Sequence, residues 1–87
     1  MQIQVRYFAA AKAATGRAEE ARSLPGGATV GALVEAVLAE LGAAPGTETA
    51  RVFGRCSYIV NGAATTDRAL PLADGDRVDV LPPFAGG

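Results

Sequence analysis

One amphipathic helix lies near the middle of this 87-residue chain, and it limits the possible folds more than any other feature. Val30, Leu33, Val34, Val37, Leu38 and Leu41 recur at a period of about 3.6 residues and form a single apolar stripe. Thr29 offers its hydroxyl as an N-cap, and Gly42 supplies the stop. A single stripe covers one face of one sheet, so the chain is expected to build two layers.

The flanks supply the strands. Met1–Phe8 alternates, with Ile3, Val5 and Tyr7 on one face and Gln2, Gln4 and Arg6 on the other. Ala9–Ala14 followed by Gly16 reads as one or two helical turns with a glycine cap, or as a broad loop. The polar stretch Arg17–Leu24 predicts an exposed second strand, ended by Pro25-Gly26-Gly27. Within the poorly patterned stretch 43–56, Ala43–Thr47 reads as loop, and Arg51 and Arg55 flank the apolar pair Val52-Phe53 without marking an element. Ser57–Val60 and Ala63–Thr66 straddle Asn61-Gly62, a dipeptide suited to a type I′ hairpin turn. Asp74-Gly75-Asp76 is a second turn, and Arg77–Leu81 alternates as a last strand. Two hairpin-like halves around a helix predict an α+β fold of β-grasp type, with a mixed sheet of four to five strands. The domain is expected to span residues 1–81, with 82–87 as an extended tail.

Composition excludes much chemistry. Apolar residues make up 49% of the chain, but much of that share is alanine, so the core is thin. Without histidine there is neither a histidine general base nor a histidine metal ligand. The single cysteine, Cys56, has no partner for a disulfide and no base to activate it, and reads as a small core residue. Asp74, Asp76 and Asp79 lack the spacing of a calcium loop, so no metal site is expected. A net charge of −1 leaves no basic field for nucleic acid. With no apolar run long enough to span a bilayer and no signal-like start, a cytoplasmic location is expected.

The chemistry therefore falls to the end of the chain. Pro82 and Pro83 lack amide donors and favour an extended arm, and Phe84 and Ala85 follow before the pair Gly86-Gly87. At about 3.3 Å per residue such an arm reaches roughly 20 Å. The glycines carry no side chains, so they pass a narrow channel and adopt whatever φ it demands. The free carboxylate is a poor electrophile and needs activation. This chain holds no nucleotide motif, so a partner must supply the ATP chemistry.

Val80-Leu81-Pro82-Pro83-Phe84-Ala85-Gly86-Gly87, preceded by Leu72-Ala73-Asp74-Gly75-Asp76-Arg77-Val78, resembles the small subunit of molybdopterin synthase, a ubiquitin-like sulfur carrier. Val5-Arg6-Tyr7-Phe8-Ala9-Ala10 and Ala28-Thr29-Val30 with Leu33 are similar to the same family. The resemblance implies that an E1-like adenylyltransferase activates Gly87 with ATP and that a sulfur donor protein converts it to a thiocarboxylate. The tail would then enter the large subunit, in a heterotetramer, and give sulfur to cyclic pyranopterin monophosphate. This chain would bind no cofactor of its own and would be a non-catalytic subunit. Gly87 would bear the sulfur, Gly86 would thread the channel, and Pro82, Pro83, Phe84 and Ala85 would form the inserting arm. Phe8 and Leu81 are docking candidates, although Phe8 could equally cover the edge of the core. Three other readings stay open: a carrier for cysteine biosynthesis or tRNA thiolation, a lysine-directed protein modifier, and a structural domain with an idle tail. Thiazole carriers are usually shorter, which disfavours that route.

Overall fold

The computed structural model describes residues 1–83, and the expectations for Phe84, Ala85, Gly86 and Gly87 lie outside the described residues. In chain order the elements are β1 (Gln2–Tyr7), α1 (Ala9–Thr15), β2 (Glu19–Ser23), α2 (Val30–Leu41), α3 (Glu48–Gly54), β3 (Ser57–Val60), β4 (Ala63–Thr65) and β5 (Arg77–Leu81). The strands form one five-stranded sheet in the order β2-β1-β5-β3-β4. β1 and β5 run parallel at its centre, and every other neighbouring pair is antiparallel. This is the β-grasp arrangement.

Alternation decides the two faces. Ile3, Val5, Tyr7, Tyr58, Val60, Val78 and Val80 point inward and are buried. Val30, Leu33, Val34 and Val37 of α2 cover them, with Ala11 of α1 and Phe53 of α3 in the same core. Leu38 and Leu41 are only partly buried. Leu38 lines an open hollow of about 340 Å³ with Glu35, Ala39, Ala43, Pro45 and Arg68.

The turns behave as their residues dictate. Asn61 and Gly62 take φ of 49° and 87°, the positive values a type I′ turn requires. Asn61 also joins this hairpin to the Asp74–Asp76 turn: its Nδ2 donates to Asp76 Oδ1 at 2.8 Å, and its Oδ1 accepts from the Arg77 amide at 2.9 Å. Asp74 accepts from the Gln2 amide at 2.7 Å and Asp76 from the Ala73 amide at 2.8 Å, so both carboxylates serve the turn.

The structure decides three segments. Ala43–Thr47 is loop, as expected, and the unpatterned stretch after it holds α3 at Glu48–Gly54. Thr47 caps it by accepting from the Ala50 amide at 3.3 Å, and Glu48 suits the positive end of the helix dipole. With one buried side chain, Phe53, this helix is too short to write a stripe in the sequence. Of the two readings open for Ala9–Ala14, the helical one holds: α1 spans Ala9–Thr15 and is closed by Gly16 at φ 73°. The exposed strand β2 turns two charged residues, Glu20 and Arg22, toward the helix layer.

Those charges are satisfied in a ring. Arg17 bridges Glu20 at 2.7 Å and Glu40 at 3.0 Å, while Arg22 bridges Glu20 at 3.0 Å and Glu40 at 2.7 Å. The Tyr7 hydroxyl also donates to Glu20. Burial pushes the Glu20 carboxyl up, but hydrogen bonds from Tyr7, Arg22 and Arg17 outweigh it and leave the group below its usual range. The ring ties edge strand β2 to α2. Inward charge on an edge strand also discourages pairing with a second sheet.

Candidate functional site: the sheet face at the tail exit

The parallel pairing of β1 with β5 positions the site. Tyr7 is level with Val80 in the register, and the Phe8 amide donates to the Val80 carbonyl at 3.3 Å. The two central strands therefore end together, and the chain beyond Leu81 leaves the sheet beside Phe8. Pro82 is buried and Pro83 exposed, so the arm expected to begin at Pro82 has its first residue packed on the domain.

Phe8 is 37% exposed, the largest exposed apolar side chain among the described residues. It belongs to the outward series Gln2, Gln4, Arg6 and is not part of the buried core. Phe8 is thus placed outside the core and outside the residues packed against it. Leu81 is half-buried on the same outward face, and Ile59 of β3 is half-buried there too. Ile59 is level with Asp79 and Ala64 in the register. Sequence reading had missed Ile59, because its strand can be recognised locally but its face is known only once β3 pairs with β5. Phe8, Ile59 and Leu81 make an apolar patch at the end of the sheet from which the tail departs.

A charged pair stands within that patch. Arg6 Nε and Nη2 donate to the two carboxylate oxygens of Asp79 at 2.8 and 2.9 Å. These hydrogen bonds, then the charge of Arg6, hold the Asp79 carboxyl below its ordinary range against the opposing effect of burial. The Arg6 guanidinium carbon lies 5.6 Å from the centre of the Phe8 ring, within cation–π range. The next residue, Ala9, has φ 49°, a left-handed value that costs an L-residue about 1–2 kcal/mol. The backbone turns sharply just after Phe8.

Cys56 belongs to a different part of the molecule. It is 6% exposed, its thiol donates to the Val52 carbonyl at 3.3 Å, and burial pushes its pKa up to about 11. A thiol kept protonated in this way is a poor nucleophile. Tyr58 is likewise pushed up to about 12 by burial, and its hydroxyl donates to the Phe53 carbonyl at 3.4 Å. No helix among the described residues is long and apolar enough to cross a membrane.

Comparison with known proteins agrees with this geometry. The model of the ThiS family matches residues 5–87. No curated protein matches the chain by sequence. Among solved structures, a putative molybdopterin converting factor subunit 1 from Pyrococcus furiosus is 31% identical, with a TM-score of 0.77 over 97% of this chain and 99% of that one. SAMP1 from Haloferax volcanii is 26% identical, with a TM-score of 0.79 over the full length of both chains. A complex of subunits 1 and 2 of molybdopterin-converting factor from Helicobacter pylori contains a chain 25% identical, with a TM-score of 0.63 and complete coverage of both. By family match, fold and full-length coverage, the chain belongs to the ThiS family of ubiquitin-like β-grasp proteins.

Proposed function

We propose that this chain is the sulfur-carrying small subunit of a molybdopterin synthase. The observation that supports the reading is the parallel β1–β5 pair, which ends β5 beside Phe8, so that the segment leading toward Gly86-Gly87 begins at the edge that also carries Leu81 and, one strand over, Ile59. One surface thus combines something to dock with something to deliver. The relative from Helicobacter pylori, solved as a complex of subunits 1 and 2, supports a large-subunit partner.

The chemistry follows from the terminus. In the active site of an E1-like adenylyltransferase, the Gly87 carboxylate attacks the α-phosphate of ATP, releasing pyrophosphate and leaving an acyl-adenylate. Sulfide-level sulfur delivered by a donor protein attacks the acyl carbon and expels AMP, leaving a thiocarboxylate. A donor carrying the sulfur as a persulfide also needs a thiol, which releases the thiocarboxylate and ends in a disulfide. The tail then enters the large subunit, where the soft, nucleophilic sulfur attacks a carbon of the pterin precursor, cyclic pyranopterin monophosphate, and displaces an oxygen from it. Hydrolysis of the acyl–sulfur bond leaves sulfur on the acceptor and returns Gly87 to a carboxylate. Catalytic side chains belong to the partners, consistent with the protonated, buried Cys56 and the absence of histidine.

A second reading has its own support. The full-length likeness to SAMP1 favours a modifier whose activated Gly87 is captured by a lysine amine instead of sulfur. Intact-mass analysis separates the two. Incubation with the activating enzyme, ATP and a sulfur donor is expected to replace one oxygen of this chain by sulfur, and deletion of Gly87 to abolish the change. Adducts to partner lysines with no sulfur-bearing species would favour the modifier.

A further inference from the structure

We infer that Arg6, pinned by Asp79, is a positioning residue that holds the Phe8 ring ready for its partner; the inference rests on the docking role proposed above. An exposed phenylalanine outside the core is free to change rotamer, and fixing it during association costs affinity. Here the guanidinium lies 5.6 Å from the ring centre, and its own orientation is set by two hydrogen bonds to one carboxylate. Both anchors stand on the two central strands, where Arg6 and Asp79 are register neighbours. Ala9, the next residue, takes φ 49°, so the backbone turns directly after Phe8.

Stability alone does not account for the pair. Asp79 is 14% exposed but Arg6 is 52% exposed, and an ion pair half open to solvent is screened and adds only modestly to folding. Two charges also take area from a face that is otherwise apolar at Phe8, Ile59 and Leu81. A lysine could neutralise Asp79, but only a planar guanidinium makes two parallel hydrogen bonds while lying against a ring. The residue type matches the positioning role.

The experiment uses the full chain and the molybdopterin synthase large subunit of the same organism, with affinity measured by calorimetry. Phe8→Ala, Arg6→Gln, Arg6→Lys and the Phe8→Ala/Arg6→Gln double variant are compared. Arg6→Gln is expected to weaken binding about 2- to 10-fold, the loss from one side chain that must be ordered on association. Arg6→Lys is expected to restore little, and Arg6→Gln to cost nothing further once Phe8 is gone. In the free chain, NMR couplings of Phe8 should move from one rotamer toward averaging in Arg6→Gln, with the thermal melt nearly unchanged. The inference is overturned if Phe8→Ala weakens binding but Arg6→Gln does not, or if Arg6→Gln costs as much without Phe8 as with it. If Phe8→Ala itself leaves affinity unchanged, the docking reading fails and the inference goes with it.

Discussion

Replacing Phe8 by alanine tests the docking face with a number the structure supplies. A phenylalanine offers roughly 200 Å² of surface, and 37% exposure leaves about 75 Å² for a partner to cover. At about 25 cal/mol per Å² that area is worth roughly 1.8 kcal/mol, or about 20-fold in affinity. Because Phe8 is outside the core cluster, folding stability should fall by only about 1 kcal/mol. Phe53→Ala is the matched control. That ring is fully buried and meets Tyr7 edge-on at 6.5 Å, so its loss should cost about 3–5 kcal/mol and lower the melt by more than about 12 °C. Calorimetric titration against the large subunit, with a thermal melt of each variant, reads both effects. A change of less than about twofold in affinity for Phe8→Ala would refute the reasoning, because the open area would then not be covered on binding.

The ion ring makes stability depend on pH with a defined sign. The Glu20 and Glu40 carboxyls are both held below their ordinary values, so their contribution is complete above the unfolded carboxylate range and is lost as pH falls through their lower folded values. Glu20→Gln should lower the melt by several degrees at neutral pH, from about 1 kcal/mol of partly screened hydrogen bonding, and make little difference near about pH 3. A gap between wild type and variant that stays constant with pH would contradict this account. Cys56→Ala should load sulfur at the wild-type rate, read by intact mass, since a buried thiol with a pKa of about 11 takes no part. Loss of loading in a folded Cys56→Ala protein would instead place the thiol in the transfer.

What the sequence disclosed was local. The stripe from Val30 to Val37, the Thr29 cap, the Ile3-Val5-Tyr7 alternation and the Asn61-Gly62 turn are each complete within a few residues, and each stands as expected. The helix over Glu48–Gly54 was hidden because it buries only Phe53. Glu20 and Arg22 looked like solvent-facing residues because their partners Arg17 and Glu40 come from outside the strand. The site divides in the same way. The terminal glycines and Phe8 can be read from their own segments, whereas Arg6 and Asp79 are 73 residues apart and meet only through the β1–β5 pairing. Ile59 joined the patch for the same reason.

The most direct test of the central claim is a single-turnover transfer. The chain, loaded as its Gly87 thiocarboxylate, is mixed with the large subunit and cyclic pyranopterin monophosphate, and its mass is followed over time. The account predicts that the sulfur-bearing form reverts to the ordinary carboxylate as sulfur appears on the pterin. A thiocarboxylate that persists beside the large subunit and its substrate, or leaves only as an amide bond to lysine, would contradict it.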